Sequence, residues 1–273
     1  MHFYKGNYSI RLLYKDKHVY ILKLKQFVAF VTFCLFLSCQ QEKGQLTKVQ
    51  GKQLKIDTSL ASVDSISDYI APFKSRIDQV LDSALAYAPK TIPLDDAPHN
   101  TSLGNLMADI VFAETSPLFK STTGKDLDFV VLNRGGIRTI VSKGNVSARN
   151  AFEIMPFENY ISVVELDGAA VRELIDFLVN ATRAHPIAGM QIVLNKNGGL
   201  ESVDIQGSPF DETRNYYVAT SDYLVQGGPS IGFFDEMVNV TDTGYLLRNA
   251  IIDHLKKIDT VKAAVDNRFI QLK

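Results

Sequence analysis

Three short runs combine residue types suited to holding a ligand. Asn133-Arg134-Gly135-Gly136-Ile137-Arg138 follows the apolar stretch Asp128–Leu132. It therefore leaves the C-terminal end of a predicted buried strand, where open α/β sheets present ligand groups. The two glycines let backbone N–H groups approach an anion, and Arg138 adds a forked donor suited to phosphate or vicinal oxygens. The same run also fits a plain strand-ending turn with solvated arginines. Met155-Pro156-Phe157-Glu158-Asn159 joins a predicted helix to a predicted strand. Phe157 reads either as a core plug or as a stacking plate, with the Asn159 amide two residues on. Ser221-Asp222-Tyr223 leads into Gly227-Gly228-Pro229-Ser230, again just after a strand. Two aromatics on separate loops can sandwich a planar ring, at about 1–3 kcal/mol per stacked base. Plates and arginines together describe a nucleotide or nucleoside site, if the fold brings the three runs together.

Bond-breaking chemistry is harder to find. A two-metal phosphatase needs several His and Asp ligands holding ions about 4 Å apart. Beyond the N-terminal segment the chain has three histidines, His99, His185 and His254, far apart in sequence. In that part of the chain HExxH, DxH, HxH and the GxxxxGK[ST] phosphate loop do not occur. By itself the chain reads as catalytically incomplete.

The elements that must position these runs are legible from periodicity. Ile70, Phe73, Ile77, Leu81, Ala84 and Leu85 recur at helical spacing. A second helix is predicted from Leu103 to Glu114, capped by Thr101 or Ser102. Ser147 caps a short helix reaching Met155; Tyr160–Leu166 reads as a strand, and Ala169–Thr182 as a helix. Ile192–Leu194 and Val203–Ile205 flank an Asn197-Gly198-Gly199 hairpin signal, Tyr216–Thr220 is a further strand, and Tyr245–Lys257 a last helix. Helices and strands alternate without a strict βαβ rhythm, which predicts one mixed α/β domain.

Charge and the N-terminus bound the rest. The 273 residues carry 29 basic and 30 acidic groups. Six of the basic groups and one acid lie in residues 1–38, so the body has a net charge of −6. An acidic body with no Lys/Arg-rich run argues against nucleic-acid binding. Phe27–Leu37 is an apolar core behind basic Lys23 and Lys25. Eleven helical residues span about 17 Å, roughly half a bilayer's hydrocarbon, so the stretch reads as an export signal. It ends at Leu37-Ser38-Cys39, which resembles a bacterial lipobox in which Cys39 is lipidated. Both cysteines, Cys34 and Cys39, fall in this segment, so no body thiol is available for a disulfide or a nucleophile. The expected organisation is a lipoprotein signal over residues 1–38, a flexible tether over 39–60 and a folded domain over 61–273.

Taken in order, the runs resemble the C-terminal, substrate-binding domain of the 5′-nucleotidase family, which includes bacterial UDP-sugar hydrolases. The similarity extends from Pro98 to Phe269. It begins at Asn100-Thr-Ser-Leu-Gly-Asn-Leu-Met-Ala-Asp109 and continues through the Asn133–Arg138 run. Pro156-Phe157, Asp167-Gly168, Gly189 and the loop after Tyr223 follow in order. The resemblance implies a four-layer α/β/β/α fold. It implies that Phe157 and Tyr223 clamp a base and that Asn133 and Arg138 bind ribose or phosphate oxygens. Asn159 and Gly189 would stand around the ring, with Gly227 and Gly228 in the clamp loop. Pro229 departs from the family's Gly-Gly-Asp, removing a carboxylate that grips ribose, and the arginine expected near Ala97–His99 is missing. Family members also carry a metallophosphatase domain, for which the roughly 60 residues between Cys39 and Pro98 leave no room. The expectation is a nucleotide-recognising half of an exported 5′-nucleotidase. A separate metallophosphatase chain would supply the divalent metal pair, with no cofactor in this chain and membrane attachment only by lipid. A non-enzymatic nucleoside-binding lipoprotein and a degenerate scaffold are the alternatives.

Overall fold

The computed structural model describes residues 23–33, 48–57, 60–228, 234 and 237–273. The chain divides into a unit over Met1–Ala61 and a compact unit over Ser62–Lys273. In the first, residues 23–33 are helical, and Phe27, Phe30 and Phe33 are all exposed. Among the described residues no helix is long and apolar enough to cross a membrane. Cys34, Cys39 and half of the expected tether lie outside the described residues.

The compact unit begins with α1 (Asp64–Asp82), then β1 (Ala84–Ala88) and α2 (Ser102–Thr123). Ala84 and Leu85, expected at the end of the first helix, belong instead to β1, which pairs with β3 (Gly144–Ser147). No residue of α1 is buried, and its apolar stripe Ile66, Ile70, Phe73, Ile77 and Val80 faces solvent. Asp78 and Asp82, on another face, hold Arg149. The threonine predicted to cap α2 does so: the Gly104 amide donates to Thr101 Oγ1 at 3.1 Å. The helix runs well past Glu114, through Pro117, and stops at Gly124.

A five-stranded sheet forms the centre, in the order β10-β4-β9-β2-β5. Its strands are β2 (Phe129–Val131), β4 (Tyr160–Leu166), β5 (Ile187–Ala188), β9 (Tyr216–Ser221) and β10 (Asn239–Leu246). A four-stranded sheet, ordered β11-β6-β7-β8, contains β6 (Met190–Leu194), β7 (Leu200–Ile205), β8 (Ser208–Pro209) and β11 (Phe269–Gln271). Side-chain alternation along the central strands feeds two cores. On one face Val130, Ile161, Val163 and Ala219 pack with α2 and with α6 (Leu247–Leu255). On the other, Phe129, Val164, Leu166 and Val218 pack with α4 (Gly168–Asn180) and with Ile192, Leu194 and Val203 of the second sheet. Helices thus flank two sheets in a mixed α/β fold, in agreement with the expected class. Tyr245 and Leu246, expected in the last helix, end strand β10, and α6 begins at Leu247.

Candidate functional site

Strand direction decides which loops can meet. β2 runs parallel to β9, with Val130 opposite Ala219, so both strands point their C-terminal ends the same way. β4 is antiparallel to β9, with Ile161 opposite Ser221. Its N-terminal end therefore lies beside the C-terminal end of β9. Residues 133–138, 156–159 and 222–228 all emerge at this one end of the sheet, from three adjacent strands.

The first run forms a single 3-10 turn, Arg134–Gly136. Gly136 lies beneath the Asn133 side chain: a Cβ added there would stand 3.0 Å from Asn133 Oδ1. The Arg138 amide donates to the Ile154 carbonyl at 2.9 Å, tying the turn to the end of α3 (Ala148–Ile154). Its guanidinium is exposed, and Nη1 donates to the Gly135 carbonyl at 3.2 Å. Arg134 is engaged differently, with Nη2 donating to both oxygens of Asp95 at 2.9 Å. The turn therefore offers one exposed guanidinium and holds the other in an ion pair.

α3 is mounted by the predicted cap, with the Ser147 amide donating to Asn150 Oδ1 at 2.9 Å. Its last turn delivers the chain to Pro156–Asn159. Phe157 is 44% exposed and so is not a core plug. Asn159 is half-buried, and its carbonyl accepts from the Leu247 amide at 2.9 Å. Beside it, Tyr223 sits in α5 (Asp222–Val225) at 43% exposure. Gly227 takes φ +89°, and the Gly228 amide returns to the Tyr223 carbonyl at 3.0 Å. A Cβ on Gly228 would stand 3.0 Å from both the Tyr223 ring and the Tyr223 carbonyl, so glycine lets the loop close tightly beneath that aromatic. Pro229 and Ser230 lie outside the described residues.

Gly189 is the exception among the expected site residues. β5 is antiparallel to β2, with Ala188 opposite Val130, so Gly189 falls at the far end of β2. There its φ is +80°, and an added Cβ would stand 2.6 Å from the Asp128 carbonyl. Its glycine serves a tight backbone crossing at the other end of the sheet from the two exposed rings.

Periodicity did not reveal the polar groups around the open end. Among the described residues, five buried side-chain atoms have no hydrogen-bond partner: Thr115 Oγ1, Arg134 Nε, Thr220 Oγ1, Ser221 Oγ and Arg248 Nε. Four of the five belong to the last residues of β9, to the 3-10 turn, or to the arginine beneath residues 156–158. Buried polar groups are normally paired, and exceptions mark strain, bound water or a ligand site. No sequence signal distinguishes these positions, because their burial comes from tertiary packing. Nearby, His185 has its pKa lowered by burial, against a hydrogen bond with Leu132. Among the described residues no group of three or more His, Cys, Asp or Glu side chains could hold a metal ion.

Comparison with known proteins places this arrangement. Residues 86–236 match the family described as 5′-nucleotidase, C-terminal domain. Protein UshA of Escherichia coli (strain K12) is 26% identical over 144 residues, covering 50% of this chain and 26% of UshA. The trifunctional nucleotide phosphoesterase protein YfkN of Bacillus subtilis (strain 168) is 26% identical over 249 residues, covering 83% of this chain and 16% of YfkN. The chain thus spans a minor part of either relative. The crystal structure of a 5′-nucleotidase precursor from Thermus thermophilus superposes with a TM-score of 0.63 at 21% identity. It covers 77% of this chain and 42% of that one, and it establishes likeness of fold. The matched residues take in all three loops at the open end of the central sheet, and the chain belongs to the 5′-nucleotidase C-terminal domain family.

Proposed function

We propose that this chain is the nucleotide-recognising half of an exported 5′-nucleotidase and works with a separate metallophosphatase chain. The observation that carries the reading is the convergence of residues 133–138, 156–159 and 222–228 at one end of the sheet, with both rings exposed. Phe157 and Tyr223 stack on a base, Arg138 takes phosphate oxygens, and Asn133 with Asn159 orients the ribose. Gly227 and Gly228 set the height of the Tyr223 plate. The unpaired Ser221 and Thr220 hydroxyls support a polar ligand at this end. Among the described residues no carboxylate or histidine cluster could hold a metal pair; in this reading the chain binds and orients the phosphomonoester, and the partner holds the divalent ions. Orientation of that kind accounts for several kcal/mol of a barrier, about 7–11 at its upper limit. Export and attachment through lipidated Cys39 are part of the same reading. They are supported by the short apolar run behind Lys23 and Lys25 and by the cell-wall name of a Listeria monocytogenes relative.

The test measures phosphate release from nucleoside monophosphates with this chain alone, with a candidate metallophosphatase chain alone, and with both. The reading predicts activity, or a large gain in kcat/KM, only in the mixture. Hydrolysis by the metal-saturated single chain would contradict the split. Tight binding of nucleosides with no hydrolysis in any mixture would reduce the role to nucleoside capture.

A further inference from the structure

We propose that Arg248 is the positioning residue of the Phe157 plate, a buried cationic strut that holds the base-stacking loop in place; this rests on the functional reading of Phe157 above. Arg248 is the second residue of α6 and is only 6% exposed. Its Nη1 donates to two successive carbonyls of the loop, Pro156 at 3.3 Å and Phe157 at 3.5 Å. Its Nη2 lies 3.5 Å from the carboxylate of Glu158, itself exposed. The guanidinium carbon sits 4.1 Å from the centroid of the Phe152 ring in α3. One residue earlier, the Leu247 amide donates to the Asn159 carbonyl at 2.9 Å. The start of α6 therefore grips each of the four residues 156–159, three of them through one side chain.

The choice of arginine is costly for a purely structural position. Burying a cation carries a large desolvation penalty, and an apolar side chain of similar volume is commonly neutral or stabilising in its place. Here the penalty is incompletely offset, because Nε has no hydrogen-bond partner. What arginine supplies that methionine cannot is a flat, forked donor. It stacks on Phe152 on one side and binds the main chain beneath Phe157 on the other. With both carbonyls drawn onto Arg248, the plate's main chain is fixed before a ligand arrives. Pre-organisation of this kind strengthens binding without adding a contact to the ligand.

The experiment is a double-mutant cycle read by calorimetric titration of AMP into the full-length protein. In the otherwise unchanged protein, Phe157→Ala should weaken AMP binding about 5- to 150-fold, the range for one stacked base. Arg248→Met should weaken it about tenfold while leaving the thermal midpoint equal or higher. In the Arg248→Met background, the Phe157→Ala loss should shrink to about threefold or less, since coupled residues are non-additive. Arg248→Lys should fall between, keeping a donor to the carbonyls and losing the stack. Unchanged affinity in Arg248→Met, with the full Phe157→Ala loss intact, overturns the strut. If Arg248→Met does not fold, Phe152→Leu, which removes the partly exposed platform, is read in the same cycle by the same criterion. If Phe157→Ala alone leaves AMP binding unchanged, the base-plate reading is what fails. The strut is then decided by amide exchange at Phe157–Tyr160 in Arg248→Met: faster exchange supports it, and unchanged exchange overturns it.

Discussion

Two regions of this domain carry family-like motifs, and they spend their polar groups in opposite ways. At the start of α2, Asn100 Nδ2 donates to the Asp266 and Phe269 carbonyls at 3.1 and 2.9 Å. Asn105 Nδ2 donates to Asn100 Oδ1 at 2.7 Å and to the Ala264 carbonyl at 2.9 Å. Asp109 receives Arg268, which also binds Asp266. Even His99 is occupied, its ring stacked on Phe269 at 5.0 Å. Every named group there ties the C-terminal tail to the helix. At the open end of the central sheet, two aromatic rings and the Arg138 guanidinium face solvent, and buried donors remain unpaired. A motif whose hydrogen bonds are consumed internally specifies the fold, whereas one left with spare capacity can take a ligand. Sequence resemblance alone does not separate the two.

Substitutions that hit one region and spare the other sharpen this contrast. The largest effect is expected for Asn105→Ala, which removes two buried hydrogen bonds and leaves Asn100 short of a donor. It should cost about 3 kcal/mol of unfolding free energy in urea, with AMP affinity unchanged in the fraction that folds. Arg138→Met should do the reverse. Affinity for AMP should drop by about 2 kcal/mol, the scale of a charge-assisted bond, while adenosine binding and the urea midpoint hold. If adenosine weakens equally, Arg138 does not bind phosphate.

A smaller effect should appear in the acid range. Burial of Asp266 opposes its ionisation, but hydrogen bonds from the Arg268 side chain and backbone outweigh it and hold its pKa below the ordinary aspartate value. A carboxylate held low in the folded state stabilises the protein above its unfolded pKa and loses that contribution as pH falls through the folded value. The stability gap between the native protein and Arg268→Met should therefore be widest above about pH 5 and narrow below about pH 4. Thermal denaturation across that range checks this, and a gap independent of pH would remove Asp266 from the account.

Much of the architecture was legible because its signals are local. The apolar runs at 129–131, 160–166 and 216–221 are read directly as strands, and their ends are where the three candidate loops begin. What escaped depends on pairing. β10 carries Thr241-Asp242-Thr243-Gly244 with a bulge between Asp242 and Tyr245, so it lacks clean alternation and is defined by its ladder with β4. The resemblance puts Gly189 around the ligand ring, but the antiparallel pairing of β5 carries it to the far end of β2. Arg248 sits in a run that reads as a helix with a polar position, and only the fold buries it under residues 156–158. The stripe on α1 has the spacing of a core-facing helix, yet its residues face solvent. Periodicity therefore predicted the helix without predicting what it packs against.

The central claim is that exposed Phe157 and Tyr223 hold a base at the open end of the sheet. Titrating AMP and adenosine into the native protein and into Tyr223→Ala tests it most directly. The account predicts saturable binding of both ligands, weakened about 5- to 150-fold for both by the loss of one ring, with the thermal midpoint unmoved. Saturable binding that Tyr223→Ala leaves intact, or no binding of either ligand at millimolar concentration, would contradict it.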